Sequence, residues 1–81
     1  MKIHELKILP EYFNDVKKGR KNFELRINDR DYKVGDMLCL REWDGENYTN
    51  RVIYRQIEYV YNGCGLYGLS EGFCIIGMRR C

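Results

Sequence analysis

The chain has 81 residues, of which 44% are hydrophobic and 32% charged, and its net charge is +2. That balance excludes a disordered chain, and so small a charge is no nucleic-acid signature unless the cations are sorted onto one face. No apolar run approaches the roughly 20 residues of a membrane span, so no membrane partner is expected. The charged opening Met1-Lys2-Ile3-His4-Glu5 reads as no secretion signal and predicts a cytoplasmic protein. Four widely spaced cysteines without a Cys-x-x-Cys pair, and a single histidine, predict reduced thiols and neither metal nor cofactor.

In chain order, residues 3–9 alternate, with His4, Leu6 and Ile8 on one side, which is the period of a half-buried strand. Pro10 presets the backbone of a helix's first turn, and Glu11 sits where the helix dipole favours an anion. Tyr12, Phe13 and Val16 form an apolar stripe, and Lys17-Lys18-Gly19 is a helix ending, so residues 10–18 are predicted as one short helix. Residues 22–27 alternate again. Here Phe23, Leu25 and Ile27 are expected to face the core, and Glu24 and Arg26 to project from the opposite side. Asn28-Asp29-Arg30-Asp31 and Val34-Gly35-Asp36 are turn chemistry. Residues 37–43 read as a strand with Leu38, Leu40 and Glu42 on one face. Asp44-Gly45 marks a hairpin, residues 51–61 return as a long strand, the glycine-rich 62–72 segment is a loop, and residues 73–78 close as a last strand. One domain over residues 1–81 is expected, mostly β, as a five-stranded closed or nearly closed barrel with the lone helix over one mouth.

The chemistry concentrates in Gly19-Arg20-Lys21-Asn22-Phe23-Glu24-Leu25-Arg26. Lys21 falls at the turn out of the helix, and Glu24 and Arg26, two apart on a strand, share a face. A guanidinium binds phosphate or carbonyl groups bidentately, and a carboxylate accepts hydrogen bonds from amino groups. The same spacing also suits a surface ion pair with no further role.

The pattern Gly19-x-Lys21-x-x-Glu24-x-Arg26 resembles the signature of the ASCH domain, a branch of the PUA-like barrel superfamily. Together with His4-Glu5-Leu6-Lys7-Ile8, Asn28-Asp29-Arg30-Asp31-Tyr32, Val34-Gly35-Asp36, Leu38-x-Leu40-x-Glu42-Trp43 and Gly68-Leu69-x-x-Gly72-Phe73, it resembles the ASCH-like domain of unknown function 3850 of bacteria and phages. The resemblance implies a small β-barrel that binds RNA or a nucleotide in a cleft between barrel and helix. Lys21, Glu24 and Arg26 carry over as cleft residues, and His4 and Glu42 match family blocks on faces that could reach the same cleft. Lys17, Lys18 and Arg20 are then candidate phosphate contacts. Asp29 and Arg30 read as a turn pair, Trp43 as either a core cap or a base-stacking platform, and Glu71 as a solvated loop carboxylate. Some ASCH relatives are amidohydrolases of acetylated cytidine, with a lysine, a threonine nucleophile and a glutamate. Lys21 matches that lysine, whereas Glu24 stands at the threonine's position. The alternative function is therefore hydrolysis of a modified nucleoside, with Lys21 and Glu24 catalytic.

Overall fold

The computed structural model describes residues 1–81. It is β-dominant, with 49% of the residues in strands, one short helix, and a five-stranded sheet curled into a half-barrel. The elements in chain order are β1 (Ile3–Ile8), α1 (Pro10–Lys17), β2 (Phe23–Ile27), β3 (Met37–Trp43), β4 (Tyr48–Asn62) and β5 (Phe73–Arg79). The sheet order is β1-β3-β4-β5-β2; β1 runs parallel to β3, and the other neighbours are antiparallel.

The core follows from alternation. His4, Leu6 and Ile8 of β1 are buried while their neighbours are exposed, and Leu38, Leu40 and Glu42 of β3 share the inward face. Phe13 and Val16 carry α1 onto that interior, where they meet Leu38, Ile57, Ile76 and Met78 in one cluster. Pro10 opens the helix. Its C-terminal carbonyls are met by two arginines from later strands and the tail, with Arg55 of β4 donating to Val16 O at 3.1 Å, alongside the Gly19 amide, and Arg80 to Lys17 O at 3.4 Å. Both cations sit where the helix dipole is negative.

Two expectations need correction. Phe23, Leu25 and Ile27 do not face the core: all three are at least half exposed, and Glu24 is the buried residue of β2. The register explains the inversion. Glu24 lies opposite Ile76 and Arg26 opposite Cys74, the inward residues of β5, so the polar pair must point inward and the apolar trio outward. Strand β4 also begins earlier than expected, at Tyr48. A register shift against β3 between Arg41 and Trp43, with Asn50 in the left-handed region at φ 72°, breaks the alternation that would have revealed it.

The barrel is not closed by backbone pairing, because β1 and β2 are the two ends of the sheet. Side chains span the seam instead. Arg26 Nη2 donates to Lys7 O and Arg30 Nη1 to Glu5 O, each at 2.7 Å, so two guanidiniums satisfy the carbonyls that a sixth strand would have met. The Asp29–Arg30 pair is loose at 3.9 Å, and Arg30 serves mainly as this pin.

Candidate functional site

A cavity of 290 Å³ opens at the top of the seam, where β1, the start of α1 and β2 converge. Its walls include Lys7, Tyr12, Lys21, Phe23, Glu24 and Arg26. The local fold explains why these meet. Gly19, at φ 79°, turns the chain out of α1, and the next amides, of Arg20 and Lys21, return to Asp15 O at 2.9 and 3.1 Å. This brings Lys21 back along the helix to the head of β2.

Glu24 is the centre of the site. Its side chain is 5% exposed, and both carboxylate oxygens are engaged. Lys21 Nζ donates to Oε1 and also to Phe23 O at 2.8 Å. Arg26 places Nε 2.8 Å and Nη2 2.7 Å from Oε2. The pairing leaves a defined surplus. Lys21 has three donors and uses two; Arg26 Nη1 has no protein partner; Glu24 accepts one hydrogen bond on each oxygen and so keeps two of the four lone pairs a carboxylate offers. The cavity therefore presents several charge-assisted donors and one acceptor, between the rings of Tyr12 and Phe23. Lys21 Nζ lies 5.7 and 5.1 Å from those two ring centres.

The other residues singled out from sequence lie elsewhere. His4 is buried at the opposite end of β1, where its Nε2 donates to Asp36 Oδ2 at 2.8 Å and its ring meets Tyr32 edge-on at 4.8 Å. It does not line the cavity, because the β1–β3 register sets His4 beside Leu38, four residues from the Ile8–Glu42 pair. Glu42 is also buried, opposite Ile8, but it accepts from Thr49 Oγ1 at 2.6 Å and faces Arg51 at 3.5 Å, and it does not line the cavity. Arg51 in turn lies over the Phe13 ring and donates to Asn14. Lys17, Lys18 and Arg20 are exposed at the helix exit, beside Lys21 but outside the cavity lining. Trp43 lies beneath Lys7 Nζ at 4.7 Å, and Glu71 is an exposed loop residue.

Sequence reasoning missed Asp36, Thr49 and Lys7. Asp36 was legible only as a turn residue. In the fold its carboxylate accepts from the amides of Lys2 and Lys33 as well as from His4. The His4 bond, aided by those amides and opposed by burial, holds its carboxyl below the usual range.

The family model for a "Domain of unknown function (DUF3850)" matches residues 3–78. The chain is also similar to an uncharacterized 12.9 kDa protein, from the region 3′ of GpA in Escherichia phage P2, at 43% identity over 56 residues. That match covers 69% of this chain and 51% of the relative, so the chain spans about half the length of the curated protein it resembles. With the family model covering the sheet from its first strand into its last, the chain belongs to the DUF3850 family.

Proposed function

We propose that this chain is an ASCH-type, PUA-like module that binds RNA or a nucleotide, seating one nucleoside unit between Tyr12 and Phe23 beside Glu24. The observation that carries the reading is the surplus bonding capacity around Glu24. One acceptor flanked by guanidinium and ammonium donors suits a base edge that offers an amino group next to a carbonyl, or a base together with its phosphate. The 290 Å³ cavity lies at the small end of ligand pockets, the scale of a single nucleoside rather than a larger cofactor. Exposed Lys17, Lys18 and Arg20 beside the helix exit supply a path for phosphates. No serine or threonine lines the cavity, which favours binding over hydrolysis by a serine or threonine nucleophile.

Titration calorimetry with nucleoside monophosphates and short single-stranded RNAs tests this. Lys21→Ala is expected to weaken binding about tenfold, the scale of one charge-assisted hydrogen bond. It should also lower the salt slope by about 0.7 if a single-strand phosphate contact is lost. Glu24→Gln, which exchanges an acceptor for an amide donor, should alter base preference more than salt dependence. A folded protein that binds none of these ligands would overturn the reading. Deacetylation of acetylated cytidine that disappears in both variants would replace it with hydrolysis.

A further inference from the structure

The outer surface of the half-barrel is divided. Over β1 and β3 it carries Glu5, Lys7 and Arg41, with Arg41 Nη1 bonded to Glu5 at 2.9 Å. Over β2, β5 and the end of β4 it is apolar: Phe23, Leu25, Ile27, Phe73, Ile75 and Tyr59 are each between 38% and 63% exposed. These form continuous cross-strand rows. Leu25 lies opposite Ile75, which lies opposite Tyr61; Phe23 lies opposite Gly77, which lies opposite Tyr59. The first row carries no charge, and the second is bordered by Glu58, exposed in the register shift beside Tyr59, and by Arg79, the next outward position of β5.

Strand β5 sharpens the anomaly. Its inward Cys74, Ile76 and Met78 are buried, yet its outward Phe73 and Ile75 are equally apolar. An apolar run on both faces is the composition of a strand covered on both sides, and this one is covered on one.

We propose that this outer face is a homodimer interface, packed against the same face of a second copy about a two-fold axis. The area supports that occupant. Gly63 continues the outward series of β4, and a Cβ there would lie 2.1 Å from Ser70 O, so the 64–72 loop folds across this end of the face. With an aromatic side chain contributing about 150–250 Å² and Leu or Ile somewhat less, the six strand side chains leave on the order of 500 Å² of apolar surface uncovered. That lies in the upper part of the range for the largest patch of a monomer, about 300–600 Å², where such patches are often functional, and supplies more than half of the roughly 800 Å² per partner of a stable interface. The chemistry favours a second copy over an unlike partner, since homodimer interfaces are the apolar ones and transient heteromeric contacts resemble ordinary surface. A face whose centre carries no charge is also complementary to itself there without any matching of opposite charges, as a two-fold contact requires.

Sedimentation equilibrium of the 81-residue protein, from micromolar to several hundred micromolar, decides the matter. The expected result is a mass twice the 9.8 kDa of one chain. Leu25→Lys and Ile75→Lys, made separately at positions that are exposed in the single chain, should each raise the dimer dissociation constant about 100-fold, because each would bury an unpaired charge. Val52→Lys, on the exposed face of β4 opposite Arg41, should leave it unchanged. A 9.8 kDa mass at every concentration overturns the proposal, and so does a dimer that ignores both face variants while circular dichroism shows them folded.

Discussion

Asp36 is the residue whose charge the fold leans on most plainly. Its carboxylate collects the His4 ring and two backbone amides, all of which favour the ionised form. The native carboxyl therefore releases its proton at a lower pH than the same group in the unfolded chain. The resulting stabilisation is complete above the ordinary aspartate value of about 3.9 and disappears as the pH falls through the lower native one. Urea midpoints measured across the acid range should fall steeply below about pH 4. Asp36→Asn should flatten that limb while lowering stability at neutral pH, where the ionised acceptor is lost. Glu24 sets a different balance. It is buried to the same degree, but its two cations stand at the lip of the cavity, a fifth and a quarter exposed, so the triad is both a structural tie and a surface offered to a ligand.

At the scale of elements, the seam between β1 and β2 is the weak join. Arg26 holds Glu24 with one part of its guanidinium and Lys7 O with another. Arg26→Ala should therefore cost about 1–3 kcal/mol, less than a fully buried pair because the side chain is partly exposed. Hydrogen exchange should speed up in β1 and β2 and stay slow in β3 and β4. Arg26→Lys should recover little of the loss, since an ammonium cannot reproduce the fork. The elements themselves were largely readable. The alternation of residues 3–9 and 37–43 and the Pro10-to-Gly19 punctuation place β1, β3 and α1 within a residue of their observed bounds. The facing of β2 was not readable, because the rule that the apolar side goes in presumes one apolar side. Here the neighbour β5 is apolar on both, and only the register decides. The Lys21–Glu24–Arg26 grouping was visible because it spans six residues. The His4–Asp36 bond spans 32 and depends on a parallel pairing that no local pattern announces.

For the molecule as a whole, the strand order ties the two ends of the chain together. The first two strands pair with later ones: β1 with β3, and β2 with the last strand, β5. Strand β5 also supplies Cys74, Ile76 and Met78 to a core of only eleven residues. A chain cut after Asn62 should lose β2 along with β5 and show no cooperative melting by circular dichroism. An 81-residue fold cannot give up a quarter of so small a core, where each large side chain is worth about 2–5 kcal/mol.

The same strand order has a consequence during synthesis. The segment that carries Lys21, Glu24 and Arg26 leaves the ribosome early, yet the strand that orients it is the last of the five to be translated. Until then Phe23, Leu25 and Ile27 emerge as a sticky, unanchored ribbon. The nascent polypeptide depends on rapid completion, or on a chaperone, to keep that ribbon from pairing with a neighbour on the same message.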